Sequence, residues 1–352
     1  HAYAPYVKEM NLWLKYVDTV EIVAPRIEAT STAIMLPYNN RDISFSEVPA
    51  ISLISFLEIV KTLFKLPLIF LPIFKAMKRA DHIHLRCPGN IGLLGCIAQI
   101  FFPKKKKTAK YAGNGDPKAK QPWSYRLQKW ILSNTFLTRN MKVLVYGEWP
   151  KQSNNILPFF TASYSEEKIT KIPEKNYNDT LRFVFAGTLA IGKRPLYALQ
   201  FVKYLQEKGI DCTLDFYGEG DQRDQLEKYI INSGLESLIK LHGNQPAAVV
   251  EEAYKESHFL ILASQSEGWP KVVAEAMFWR VVPLVTPISC VPWMLDYGNR
   301  GIILTLNVEE DVDNLFGLLK QKEALNKMAV QGSEWSHQYT LEGFETEIKN
   351  LI

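Results

Sequence analysis

The sequence predicts an α/β protein built from two doubly wound, Rossmann-like domains, and three observations point there. Its 352 residues are long for one hydrophobic core. Short apolar runs alternate with segments of helical period in both halves, more cleanly in the second, as in a parallel sheet with helices on both faces. Between the halves, residues 163–179 are polar and irregular, which suits a linker.

Taken in order, residues 2–16 read as a helix whose apolar side carries Val7, Met10, Leu12 and Leu14, and residues 19–24 as a short strand ended by Pro25. Residues 52–74 are strongly apolar but hold Glu58, Lys61 and Lys65 and are interrupted by Pro67 and Pro72. Those charges and prolines argue against a spanning helix and for a buried helix and turn, with residues 66–74 able to lie at a membrane interface instead. Residues 82–85 read as a strand before a Pro88-Gly89 turn, residues 92–102 as a helix, and residues 143–146 as a strand.

The second half gives strands at residues 182–186, 213–217, 239–241, 259–263 and 282–285, with helices at 196–208, 222–233, 247–256 and 271–279 between them. Residues 335–352 read as one closing helix with Tyr339, Leu341, Phe344 and Ile348 on a single face.

Composition narrows the function classes. Hydrophobic residues make up 47% and charged ones 22%, ordinary for a globular protein. The four cysteines show no CxxC spacing, so neither a zinc knuckle nor a disulfide framework is indicated, and a reducing cytoplasm fits. His1 stands where an initiator Met is expected, which suggests a truncated or processed chain, and no signal peptide is visible. The net charge of +4 conceals a segment, residues 101–142, with eleven basic residues and one acid, Asp116. Such a field suits an anionic membrane surface, and Trp123, Tyr125 and Trp130 among the cations are compatible with an interfacial position. No nucleic-acid-binding motif accompanies the charge.

Open α/β sheets bind ligands at the carboxyl ends of their strands, so the residues that follow each strand matter most. Gly187-Thr188-Leu189-Ala190-Ile191-Gly192-Lys193-Arg194 follows the first strand of the second half, Gly218-Glu219-Gly220-Asp221 the next, and Ser264-Gln265-Ser266-Glu267-Gly268-Trp269-Pro270-Lys271 a third, with Glu275 on the helix beyond. Glycines let backbone approach a ligand; Lys193 and Arg194 supply counter-charge; the helix opened by Pro270 supplies free amides. Together these suit the diphosphate of a nucleotide, with Glu267 and Glu275 placed to accept bonds from hydroxyls. Gly218-x-Gly220 is a weak dinucleotide fingerprint, because Arg223 replaces its third glycine. Asp311-Val312-Asp313 looks like a metal-binding Asp-x-Asp but reads better as a solvated helix cap, and His82 and His84 as core or edge histidines.

At these residues the chain resembles the family-4 retaining glycosyltransferases. Glu267-Gly-Trp-Pro-Lys-Val-Val-Ala-Glu275 matches their Glu-x7-Glu motif, and Gly187-Thr-Leu-x3-Lys193 and Tyr217-Gly-Glu-Gly fall in the same order, a likeness best over residues 181–304. The resemblance implies a GT-B fold, two such domains facing a cleft with the last helix crossing back to the first. The domains would span residues 1–162 (acceptor side, its first strand missing), 163–334 (nucleotide sugar) and 335–352 (the crossover). It implies that Glu267 binds donor-sugar hydroxyls, amides of Gly268, Trp269, Pro270 and Lys271 hold sugar and phosphate, Glu275 binds ribose, Lys193 neutralises the diphosphate and Gly218 lies near the base.

Catalysis would rest on Glu267, Lys193 and Arg194, with Gly187 and Thr188 also in the donor site. No metal or other cofactor is implied, only a nucleotide diphosphate sugar as donor. Three departures stand out: Thr188 where an arginine is common, Arg280 where a glycine is usual, and Ile288-Ser289-Cys290-Val291-Pro292 in place of a Gly-Gly turn. Arg86, Asn90 and Asn114 are the acceptor-side candidates. The expected activity is transfer of a hexose-type sugar to a cell-envelope glycan or lipid-linked acceptor, at the inner face of the cell membrane. A nucleotide-sugar epimerase and a non-catalytic scaffold are the alternatives.

Overall fold

A computed structural model of the chain describes residues 2–26, 35–40, 42–52, 55–117 and 119–352, which leaves His1 and Lys118 of the basic segment outside. Two compact units result, His1–Thr161 with Glu342–Ile352, and Ala162–Leu341.

The first unit opens with β1 (Ala2–Tyr3), α1 (Ala4–Trp13), β2 (Val20–Ala24), β3 (Met35–Leu36) and β4 (Ile43–Glu47). β2 and β4 pair in parallel, β1 and β3 antiparallel. Then come α2 (Phe56–Arg79), β5 (His82–Cys87), α3 (Asn90–Ala98), β6 (Lys106–Tyr111), α4 (Trp123–Ser133), β7 (Met141–Tyr146) and β8 (Ile156–Phe159). β5 to β8 form a parallel sheet in sequence order. Its core joins Ile83, Leu85, Ala109, Val143 and Val145 of the strands to Ile69, Ile73 and Met77 of α2 and Leu93 and Leu94 of α3.

Two expectations change here. Pro67 and Pro72 do not cut the apolar segment: α2 is one helix of 24 residues. A proline removes one hydrogen bond and crowds the preceding turn, and the burial of Ile69, Ile73 and Met77 on one side offsets that cost. The lysine run, read as a basic face, contains a central strand. In β6 every residue after Lys106 is buried, because β5 and β7 flank it.

Lys107 therefore points inward, its ammonium 2.8 Å from Gln99 Oε1, and burial pushes its pKa down to about 8. Lys110 lies 2.8 Å from the Glu9 carboxylate, among the rings of Tyr146, Phe159 and Phe344. Ion pairs this buried are fixed in place by their desolvation: removing one partner strands the other charge. Trp123 and Trp130 of α4 remain exposed.

The second unit holds β9 (Leu181–Ala186), α5 (Pro195–Glu207), β10 (Cys212–Tyr217), α6 (Arg223–Asn232), β11 (Ile239–Leu241), α7 (Ala247–Glu256), β12 (Phe259–Leu262), α8 (Lys271–Phe278), β13 (Val282–Val285), α9 (Val291–Met294), β14 (Ile302–Ile303), α10 (Val308–Leu319) and α11 (Lys322–Ser336). Its six strands are all parallel, in the order β11-β10-β9-β12-β13-β14. β12 and β13 are buried along their whole length, which is why they read as unbroken apolar runs. Phe183 stacks on Phe259 with centroids 5.0 Å apart at the centre of this core. Residues 163–179 are irregular, as expected, yet tied down: Lys168 pairs with Glu251, and Tyr177 is buried against His258 and Phe259.

The closing helix is two helices. α11 ends at Ser336 and α12 (Leu341–Leu351) begins after a break, which Leu341 marks by donating its N–H to Tyr164 O at 2.9 Å. α12 buries Phe344 5.3 Å from Phe159, and its Glu345 accepts from Lys15 Nζ at 2.9 Å and Tyr16 Oη at 2.5 Å, all within the first unit. Asp311 is no solvated cap. It is buried and accepts from Tyr197 Oη and from the N–H groups of Thr305 and Leu306, whereas the cap of α10 is Asn307. Asp313 turns out to Lys208 instead, so the Asp-x-Asp carboxylates diverge.

Arg280 explains why a glycine is usual there. After α8 the N–H of Val281 bonds Ala276 O and that of Arg280 bonds Met277 O, each at 3.0 Å, which is a Schellman ending, and it holds Arg280 at φ 59°. A side chain at such φ costs roughly 1 kcal/mol. Arg280→Gly is expected to raise stability by up to about 1 kcal/mol in chemical denaturation; a loss of stability contradicts the assignment.

His258 supplies a pH test. Its Nδ1 accepts from Arg182 N at 3.0 Å, its Nε2 faces Asn176 O at 3.0 Å, and burial pushes its pKa down to about 4. The folded state thus resists a proton that the unfolded chain takes up near pH 6.5. Stability is complete above that pH and falls by about 1.4 kcal/mol per unit as pH drops toward 4. Denaturation at stepped pH should show this slope in the wild type and a shallower one in His258→Gln.

Candidate functional site

The sheet of the second unit reverses its direction of growth between β9 and β12, and doubly wound sheets bind ligands outside the carboxyl ends of the strands at such a point. Residues 187–194 leave β9 and residues 263–270 leave β12. Three links join the two loops: Gln265 N–H donates to Gly192 O at 2.8 Å, Arg194 Nη1 donates to Ala263 O at 3.1 Å, and the Lys193 ammonium bonds the Glu267 carboxylate. Arg194 takes the left-handed conformation (φ 50°, ψ 53°), which turns the chain sharply before Pro195 opens α5.

The Lys193 side chain is 30% exposed and that of Glu267 11%. Desolvation offsets much of the attraction in a pair so shielded, so its presence is poorly explained by stability alone.

Backbone hydrogen bonds knit the neighbouring strand ends. Gly187 N donates to Tyr217 O and Leu189 N to Glu219 O, both at 2.9 Å, and Gly218 N donates to Gly243 O at 2.8 Å. Gly218 has φ +148°, and a Cβ there would stand 1.9 Å from Gly187 O, so the approach of the two loops requires glycine. Gly187 itself faces open space, with nothing within 4 Å of where a Cβ would be, and Thr188 beside it is exposed. This leaves main chain accessible at the strand ends.

On the far side Gly268 O accepts from Ser289 Oγ at 2.9 Å and from Cys290 Sγ at 3.3 Å. The run that replaces a Gly-Gly turn therefore braces the Glu267 loop, with Ser289 at φ 51°. Pro270 is the N-cap and Lys271 the first residue of α8, where the sequence places the start of that helix. The positive end of that helix adjoins the Glu267 loop and favours an anion. Trp269 contributes only main chain to the loop. Its indole is buried and packs on Trp335, Trp293 and Tyr339 at 6.0, 6.2 and 5.5 Å.

Glu275 lies further along α8, and its carboxylate accepts from Ser163 Oγ at 2.5 Å and from Tyr254 Oη at 3.5 Å. Burial, then the Glu275 charge, drives the Tyr254 hydroxyl well above its ordinary pKa, so it stays a donor to that carboxylate. Tyr164 is raised for the same two reasons. Sequence reasoning missed Ser163, Tyr254 and Ser289. Ser289 showed only as a departure from a glycine turn, and nothing in the local pattern marks the other two.

The acceptor-side candidates have other partners in the first unit. Arg86 sits 4.8 Å over the Tyr6 ring and 3.6 Å from Glu9, Asn90 Nδ2 donates to Ile51 O at 2.9 Å, and Asn114 Oδ1 accepts from Asp116 N at 2.9 Å in a turn. His82 and His84 both meet Thr108 Oγ1 at 2.8 Å, and burial pushes His84 down to about 3. Among the described residues no three His, Cys, Asp or Glu side chains are grouped to hold a metal ion.

Residues 166–335 match the family model glycosyl transferases group 1. An uncharacterized glycosyltransferase of Methanocaldococcus jannaschii is 24% identical over 136 residues, 38% of this chain and 38% of that protein. The alpha-D-kanosaminyltransferase of Streptomyces kanamyceticus is 24% identical over 147 residues, 42% of this chain and 38% of that protein. The matched segment thus spans well under half of each curated relative. HepE of Anabaena, solved in complex with UDP and glucose, aligns with a TM-score of 0.68 at 11% identity, covering 99% of this chain and 95% of that one, a likeness of fold. The chain therefore has the GT-B architecture, and residues 166–335, nearly all of its second unit, resemble the glycosyl transferases group 1 domain.

Proposed function

We propose that this chain is a retaining glycosyltransferase that moves a hexose-type sugar from a nucleotide diphosphate to a cell-envelope glycan or a lipid-linked acceptor, without a metal ion. The observation that carries this reading is the Lys193–Glu267 pair at the point where strand order reverses, beside the amino end of α8. A diphosphate needs cations and amides together, and here the Lys193 ammonium is bonded to the loop that leads into the amino end of α8. The UDP and glucose in the HepE complex support a nucleotide sugar as the ligand class.

In this reading the diphosphate takes the Lys193 ammonium and the α8 amides as partners, while Glu267, released from Lys193, accepts from sugar hydroxyls. Glu275 exchanges Ser163 for ribose hydroxyls. The bond between the anomeric carbon and the phosphate oxygen breaks, and the electron pair leaves on the nucleoside diphosphate. Lys193 and the helix amides stabilise that charge as it develops, the largest single contribution such a site makes. The acceptor hydroxyl attacks from the face the phosphate leaves, its proton passes to the departing phosphate oxygen, and configuration at the anomeric carbon is kept. Arg194, committed to Ala263 O, shapes the loop that carries Lys193.

Lys193→Ala is expected to lower kcat by about 10²–10³-fold and Glu275→Ala to raise the donor KM, with thermal melts close to wild type. Full turnover in both variants contradicts the reading, and release of an altered free sugar nucleotide without acceptor would favour an epimerase. A panel of nucleotide sugars screened by thermal shift should identify one donor: at about 100 times its Kd, a ligand stabilises the fold by about 2.7 kcal/mol.

A further inference from the structure

We infer that the outer side of α2, with the adjoining ends of α3 and β7, is a docking face for a lipid bilayer rich in anionic headgroups. α2 buries Ile69, Ile73, Ala76 and Met77 in the first unit, yet its opposite side is also apolar. Phe64, Leu68 and Leu71, spaced four and three residues apart, form one line along the helix and are exposed, Phe64 to 82%. An apolar stripe left in water on a helix that already has a buried face needs a partner.

The stripe continues past the helix. Phe74 lies 6.0 Å from exposed Phe101, and the loop bearing Phe101 is tied to the loop bearing Phe136 by Gln99 Nε2 to Leu137 O at 3.2 Å and Asn140 Nδ2 to Pro103 O at 3.0 Å. Phe136 is exposed and carries the Arg139 guanidinium 4.5 Å over its ring.

The exposed charge around this surface is mainly basic, with Asp81 just past α2 an exposed acid. Lys75 prolongs the Phe64–Leu71 line, Lys65, Lys78 and Lys104 are exposed, and Arg79 is paired with Glu21. The only acid on α2 is Glu58 in its first turn, and the only one in residues 101–142 is Asp116. A protein partner would have to match a long apolar line and a basic fringe at once; an anionic bilayer offers both, taking Phe and Leu into the acyl boundary and the ammonium groups at the headgroups. Among the described residues no helix is long and apolar enough to cross a membrane. The site takes Phe101, Lys104, Phe136 and Arg139 from the basic segment 101–142, but not Lys107 and Lys110, which turn into the core.

The test is cosedimentation of the full chain with vesicles of phosphatidylcholine alone or mixed with phosphatidylglycerol, against a Phe64→Ser, Leu68→Ser, Leu71→Ser variant and a Lys75→Ser, Lys78→Ser, Lys104→Ser variant. The wild type should bind the anionic vesicles and leave the neutral ones. Each variant should lose about tenfold or more in binding with an unchanged melting temperature, and added salt should weaken the wild type far more than the lysine variant. Wild-type protein that ignores both vesicles, or a Phe/Leu variant that sediments like the wild type, overturns the inference. So does a dimer in sedimentation velocity that this variant disperses while vesicles have no effect.

Discussion

Lys193 and Glu267 meet at the reversal of strand order in the second unit, and the form of the surrounding loops follows from holding them there. A cation brought to the end of β9 needs a counter-charge while no ligand is present, and Glu267 provides it from the neighbouring loop. That contact is geometrically demanding. It requires the left-handed turn at Arg194, the bond from Gln265 to Gly192, and the brace that Ser289 and Cys290 place on Gly268. Gly218 sits behind all of these, because a side chain there would push the β10 loop off the β9 loop.

The first unit shows the same economy with different residues. β6 carries lysines into a buried sheet, and each finds a specific partner: Gln99 for Lys107, Glu9 for Lys110. Lys110 also sits against Phe344, so a residue of the last helix and a residue of the first share one cation. What remains exposed is apolar on α2 and basic around it, and this division gives the unit a face suited to an anionic surface.

Much of the second unit was legible in its sequence because its strands are covered on both faces. Residues such as Phe259–Leu262 then read as continuous apolar runs, and the glycines that follow strands mark where backbone must come close. β6 was not legible, since a strand written Lys-Lys-Thr-Ala-Lys-Tyr has the composition of a surface loop and is buried only through its neighbours. The continuity of α2 through two prolines, the break before α12, and the burial of Asp311 were hidden for the same reason: tertiary packing decided each against local preference. Of the candidate site, the Lys193 and Glu267 loops could be paired from spacing and strand-end logic. The engagement of Glu275 by Ser163, more than a hundred residues earlier in the chain, could not.

The central claim is that Lys193 serves the diphosphate and Glu267 the sugar. Calorimetric titration of Glu267→Gln with a nucleoside diphosphate and with the matching nucleotide sugar separates the two roles. The account predicts that the variant binds the nucleoside diphosphate at least as tightly as the wild type, because Lys193 is freed, and loses affinity for the nucleotide sugar. Equal affinity of wild type and variant for the nucleotide sugar, or no binding of either ligand by the wild type, would contradict it.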